Sequence, residues 1–443
     1  GIINIVDDCI SALNYELPEI KVGYETQSVN DGSSKNLNYK NNIGGFNVNF
    51  GYNKINFGNY DVPSGAVFHE EEHGEHEEEE EHHEENMGFI NNSDYAVEAT
   101  KFGISKVGDW GYVGISVDNL ESIYGIPFHG DEHEDEHGDE HGDEHEDVEE
   151  HEEERIFSTT DSESFTIKGS YNLNGNLVNK IDFMYRDSDY VLTEAHEEEE
   201  GHDEHGDEEE HEEHAPTNFM NKATEYGAIL DISNDVMNQK LVFNFVDEDN
   251  SIVGEEAFMN PANNEEFTIG YYMSRDLDLF SVDLGMRIDQ IDRTGSVTDE
   301  DHGDIDYYSI DDSTNSFAVS VGKDLSDTLS VNMGFASVER LPSVIELFMN
   351  GPHMATGRLE TGNPNLMSET SDNFDITLNY ENDGFYAYAS FYVTDVDNYI
   401  TLMDEDEDHD GHEDEHHDEH EDEDHDEHED EHDDHGHGNL IHA

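Results

Sequence analysis

Four stretches made almost wholly of His, Glu and Asp break this chain, at residues 69–85, 129–154, 194–214 and 404–437. They carry 11, 16, 13 and 22 acidic residues and no Lys or Arg, so no fold can bury them without stranding charge away from water. Whatever the rest of the chain builds must hold all four in solvent.

The text between the tracts alternates apolar and polar residues with period two. Phe46, Val48, Phe50 and Tyr52 do so, as do Phe165, Ile167 and Tyr171, then Phe280, Val282, Leu284, Met286 and Ile288. Leu329, Val331, Met333 and Phe335 repeat it, followed by Phe374, Ile376, Leu378 and Tyr380, and by the run from Phe385 to Val393. A sandwich in water would show the same alternation. The connections argue for a barrel: short turns at Asn174-Gly175-Asn176, Ser274 to Asp276, Asp324 to Asp327 and Glu381 to Gly384 alternate with long segments that include every tract. Short turns at one end and long loops at the other are the pattern of an outer-membrane barrel. The expected fold is all-β, an antiparallel transmembrane β-barrel of about fourteen strands between Glu19 and Ile400, with the tracts as long, disordered extracellular loops. At 443 residues one barrel accounts for the length, and no run of about 18 apolar residues offers a membrane helix.

Charge narrows the partners. The net charge is −95, and outside the tracts 51 acids still face only 18 Lys and Arg, which excludes nucleic acid, whose phosphates need clustered cations. Such a surface concentrates cations instead. The single cysteine, Cys9, rules out an internal disulfide framework and a thiolate zinc finger.

Imidazole beside carboxylate is the donor set that zinc and its neighbours among the divalent ions prefer. The tracts hold 26 of the 29 histidines. The candidate ligands are His69, His73, His76, His82 and His83 in the first tract, and His129, His133, His137, His141, His145 and His151 in the second. The third offers His196, His202, His205, His211 and His214, and the fourth His409, His412, His416, His417 and His420. His133, His137, His141 and His145 recur every four residues, which would align them on one helical face once a metal offset the repulsion. The plainer reading is a solvated acidic coat in which His is incidental. HExxH text at His69, His133, His412 and His428 is compositional, lacking any apolar helix face, and the EF-hand-like Asp406, Asp408, Asp410 and Gly411 meet His417 where Glu belongs. No nucleophile elbow or phosphate-cradling loop occurs, so no catalytic residue is assigned and no enzyme activity is expected.

From Glu339 the chain reads ERLPSVIELFMNGPHMATGRLETGNPNLMSETSDNFDITL. This run resembles a signature of TonB-dependent outer-membrane receptors, and its resemblance to the zinc-uptake branch of that family is close. Glu339, Arg340, Pro342, Glu346, Leu347, Gly351, His353, Ala355, Thr356, Glu360, Gly362, Asn363, Leu366 and Glu369 carry it. Tyr124, Gly125 and Pro127 before the second tract, and Asn59-Tyr60-Asp61-Val62-Pro63 before the first, fit the same likeness. The resemblance implies that residues 1–10 end a plug domain and that 17–443 form roughly two thirds of a 22-stranded barrel, without the TonB-contacting segment and the closing strands. It also implies His353 as a metal ligand, zinc as transported ion rather than catalytic cofactor, and TonB with its inner-membrane complex as partner. A receptor for a chelated metal such as a siderophore or haem, a passive surface metal buffer and an acidic soluble sandwich stay open as alternatives.

Overall fold

The computed structural model describes residues 9–63, 88–127, 155–173, 175, 177–197, 216–254, 257–298, 303–353, 358–404 and 439–442. Its strands are β1 (Glu19–Gln27), β2 (Gly32–Ile43), β3 (Phe46–Phe57), β4 (Tyr60–Asp61), β5 (Phe89–Ile90), β6 (Tyr95–Gly108) and β7 (Gly111–Gly125). They continue as β8 (Arg155–Asn172), β9 (Lys180–Glu197), β10 (Thr217–Asp231), β11 (Asn238–Val253), β12 (Ala262–Asp276), β13 (Ser281–Thr298), β14 (Ile305–Ser326) and β15 (Leu329–Arg340). After the short helix α1 (Val344–Phe348) come β16 (Asn350–His353), β17 (Arg358–Thr361), β18 (Glu369–Asn382), β19 (Phe385–Asp397), β20 (Leu402–Asp404) and β21 (Asn439–His442). Fifteen of them, one more than the sequence count, join in chain order into one antiparallel sheet running from β1 to β19. Those two end strands do not pair with each other among the described residues, so the barrel wall is open.

Register gives the wall two chemically distinct faces. One row of direct cross-strand partners runs Val48, Ile104, Ile115, Ile167, Tyr185, Tyr226, Phe245, Phe267. The row one residue away, on the opposite face, runs Asn47, Ser105, Gly114, Lys168, Met184, Gly227, Asn244, Thr268, Asp289, Thr314. Successive side chains on a strand point to opposite sides, so the first row belongs to an outward apolar band and the second to an inward polar wall. The outward side chains stay open, Met286 and Ile288 being 54 % and 55 % exposed, as a face built for lipid requires.

The two-residue connections between neighbouring strands of the wall all lie at one end. Gly44 and Gly45, with φ of 62° and 83°, make the two-residue turn between β2 and β3, and Asp383 and Gly384, with φ of 44° and 86°, repeat it between β18 and β19. Turns with two positive φ angles match the twist of paired strands, which is why Gly and Asp stand there. The expected turn at Ser274 to Asp276 belongs instead to β12, and the chain reverses over 277–280, closed by Leu277 N–H to the Phe280 carbonyl at 2.9 Å.

The long connections leave the other end, and just inside it the outward face changes from apolar to acidic. Asp187, Thr224, Asp247, Glu265, Asp292 and Asp311 are successive cross-strand partners across β9 to β14. Glu163 and Asp189 form a further such pair, facing Lys222. The acidity that remains outside the tracts is therefore gathered in part into a belt above the apolar band.

Candidate functional site

The connection from β15 to β18 folds back over the inward wall at the long-loop end. Pro342 stops β15, and Ser343 starts a helical turn by a capping box: its hydroxyl accepts the Glu346 N–H at 3.3 Å, while the Glu346 carboxylate accepts the Ser343 N–H at 2.6 Å. The turn presents Leu347 and Phe348, 1 % and 0 % exposed, to an apolar cluster with Ile252, Phe258, Met259 and Ala262. Burying such side chains contributes about 1.5–3 kcal/mol each, enough to hold a turn too short to be stable alone. Gly295 in β13 lets the Phe348 ring lie flat on the wall, since a Cβ there would strike it. Gly362 does the same for the returning chain, where a Cβ would stand 2.8 Å from the Leu347 carbonyl carbon.

Two arginines lock this loop. Arg293, buried in β13, donates to the Pro342 carbonyl and to Asn264 Oδ1, the latter at 2.9 Å. Arg340 forks onto Glu346 at 2.9 and 3.1 Å and reaches Glu369 at 3.4 Å. Burial pushes the Glu346 carboxyl up, but the Arg340 guanidinium and the Ser343 N–H outweigh it and hold the group below the usual carboxylate range.

The loop then contributes β16 and β17 to a four-stranded sheet in the order β16, β17, β21, β20. His353 ends β16, its backbone paired with Arg358. Across the sheet Gly351 pairs with Glu360, Glu360 with Leu440, and Leu440 with Asp404. Asp404 is where the fourth tract departs and Asn439 follows its end, so this tract is rooted in the sheet that carries His353. The other three arise between strands of the wall or its short β4–β5 extension: the first between β4 and β5, the second between β7 and β8, the third between β9 and β10.

A second inward anchor lies at the short-turn end, where residues 9–15 run along the wall. Asn47, 2 % exposed, accepts the Tyr15 N–H at 3.0 Å and donates to the Leu13 carbonyl at 3.0 Å, while Ser105 Oγ donates to the Ser11 carbonyl at 2.7 Å. Gly103 is required beneath them, because a Cβ would strike the Cys9 carbonyl. Between the two anchors, buried Asp289 accepts from Thr268 Oγ1 at 2.7 Å, Arg287 Nε at 2.7 Å and Thr314 Oγ1 at 3.1 Å, which stitches β12, β13 and β14 together.

Of the residues singled out in the sequence, Arg340, Glu346, Leu347, Gly362 and Glu369 prove to be internal parts of the folded loop. His353 lies in β16 and His196 in β9, paired through its backbone with Ile156. Ala355, Thr356, residues 1–8 and every other tract histidine named above lie outside the described residues. Among the described residues no group of three or more His, Cys, Asp or Glu is arranged to hold a metal ion. Asn47, Ser105, Asp289 and Arg293 were not singled out; a polar residue at a lumenal position of a strand carries no mark of what it will meet.

Residues 147–413 match the family described as TonB dependent receptor-like, beta-barrel. Among solved structures, the chain is similar to the Serratia marcescens hemophore receptor HasR in complex with HasA and heme, at TM-score 0.62 and 10% identity, covering 87% of this chain and 55% of that one. The copper transporter OprC gives 0.61 at 12% identity, over 88% and 54% of the two chains. The FrpB iron transporter from Neisseria meningitidis gives 0.58 at 12%, over 89% and 56%. The chain thus spans about half the length of these structures, and at such identities the likeness is one of fold.

Proposed function

Since the chain belongs to the TonB-dependent receptor family of β-barrels, we propose that it is the barrel wall of an outer-membrane receptor that takes up a divalent metal ion, zinc above all. The observation that carries the reading is one of placement. The described roots of all four His/Asp/Glu tracts sit at the long-loop end of the wall, the end that also carries the outward belt of carboxylates on β8 to β14 and the inward-folded loop that bears His353. Copper and iron are the cargo in the names of two similar structures and heme is bound in a third, which fits metal as the transported species.

Collection follows from magnitudes. A single imidazole–carboxylate pair holds zinc weakly, whereas 26 histidines among 62 acids raise the local ion concentration and favour rebinding. Weak capture outside and firmer binding near His353 is the order that inward transfer needs. In this reading TonB and the inner-membrane complex supply the energy, and the protein performs no reaction on its cargo. A receptor for an anionic chelate is less well served by this chain, because the tracts contain no Lys, Arg or aromatic residue to hold one.

Free imidazole has a pKa of about 6.5 and loses its ligand lone pair on protonation, so capture weakens as pH falls through that value. Titrating the protein in detergent with zinc, calcium and magnesium at pH 7.5 and 5.5 tests the reading. Zinc binding in the micromolar range that is lost at the lower pH, with calcium far weaker, supports it; equal weak binding of all three ions at both pH values leaves only a polyanionic coat.

A further inference from the structure

One guanidinium stands where three pieces of the mouth meet. Arg340 ends β15 and pairs across the sheet with Glu369, the first residue of β18, so it marks the point at which the folded loop leaves the wall and returns to it. Its fork holds Glu346 of α1, and its Nε faces Glu369. The other Glu369 oxygen accepts the Ile400 backbone N–H at 2.9 Å, two residues before β20 begins. β16 and β20 are the two outer strands of the small sheet and come from different parts of the chain. Through Glu346 and Glu369, both are referred to the same side chain.

We infer that Arg340 is the positioning residue of the mouth: it sets where the His353 hairpin and the root of the fourth tract stand relative to each other and to the wall. The consequence for uptake rests on the metal reading above; the positioning itself does not. A planar guanidinium can serve two carboxylates from one centre, which a lysine ammonium cannot do with the same geometry. Without it, the Glu346 and Glu369 side chains, 18 % and 16 % exposed, would face each other with no cation between them. Arg293 does not replace it, being committed to Pro342 and Asn264.

The experiment compares Arg340→Gln, Arg340→Lys and Glu369→Gln with the parent receptor, reading amide exchange in outer-membrane vesicles and zinc uptake in whole cells with an intact, energised TonB complex. Amide exchange at Ile400 and Asn363 should quicken about tenfold in Arg340→Gln, the scale of one lost charge-assisted hydrogen bond. The zinc concentration for half-maximal uptake should rise several-fold, with zinc bound per receptor unchanged because the tracts are intact. Arg340→Lys should fall between the two, and Glu369→Gln should loosen Ile400 but not Asn363. Unchanged exchange at Ile400 and Asn363 in Arg340→Gln overturns the inference, as does a drop in barrel melting temperature large enough to account for the faster exchange; faster exchange with unaltered uptake overturns its consequence for uptake. A parent that takes up no zinc removes the metal reading alone, since the exchange pattern still decides whether Arg340 positions the mouth.

Discussion

Phe267 and Thr268 are neighbours in β12 and face different surroundings. Phe267 is 42 % exposed in the outward band, and its direct partners Phe245 and Gln290 share that face; Thr268 is 9 % exposed on the inward wall and bonds Asp289. The outward face tolerates open apolar surface and needs no specific partner, because lipid is a solvent for it. The inward face holds Asn, Ser, Thr, Arg and Asp, and buried members such as Asn47, Asp289 and Arg293 form explicit hydrogen bonds, because a half-satisfied polar group there is costly; among the described residues the buried Ser158 hydroxyl is an exception, with no partner. Position along the strand matters less than parity.

The largest effect should therefore come from putting a charge on the wrong parity. Phe267→Lys places an ammonium in the outward band and should destabilise the wall by about 2–4 kcal/mol, read as a lower midpoint of urea unfolding in lipid vesicles. Lysine at inward Asn244, between Gly227 and Thr268, should cost far less. If the two substitutions cost the same, the assignment of faces is wrong.

Next in size is the loss of an inward acceptor. Asp289→Ala leaves the Thr268 and Thr314 hydroxyls and the Arg287 Nε without their shared acceptor. Arg287 is about half exposed and can turn to water, so the penalty should be about 2 kcal/mol rather than that of a fully buried ion pair. Asp289→Asn, which retains one acceptor oxygen, should recover roughly half of it.

The folded loop adds a pH test of the same face. Glu346 has a carboxyl held below the usual range, so its contribution is fully present above the ordinary carboxylate pKa and is lost as pH falls through the lowered value. Amide protection at Asn363, whose N–H bonds the Glu346 carbonyl at 2.9 Å, should decline in acid below the usual carboxylate range. Glu346→Gln should lower protection at neutral pH and flatten that decline. A decline centred near pH 6.5 instead would point to histidine.

Parity, turn placement at one end and the emergence of the tracts at the other were legible in the sequence, because each depends on local pattern alone. The Arg340 to Glu369 segment was legible through its resemblance, which marked the residues without saying that Arg340 forks onto Glu346. What no local reading could supply was register. Asp289 meets Thr268 and Thr314 from 21 and 25 residues away, and Asn47 meets Ser105 from 58. The misplaced turn has a simple cause: Leu277, Leu279 and Phe280 make the real reversal apolar, and the charged residues before it looked the better breaker. The excess acidity of the wall was visible as a number, but its ordering into cross-strand partners appears only once strands are aligned.

That ordering gives the smallest and sharpest test. Asp247, Glu265, Asp292 and Asp311 stand directly opposite one another in turn, an arrangement of like charges that is destabilising by about 0.2–1 kcal/mol per pair in low salt. Glu265→Gln removes the charge shared by two of those pairs, so in a chelator-treated sample of low ionic strength it should raise stability by a few tenths of a kcal/mol. The gain should shrink as sodium chloride is added, since screening already weakens the repulsion. A gain that persists in chelator but reverses to a loss when millimolar calcium or magnesium is restored would mean that the belt is held together by counter-ions, and the outward face above the apolar band would then have a polar rule of its own. No change under any condition would mean that side-chain motion at this exposed position already separates the charges, leaving parity as the only constraint the outward face obeys.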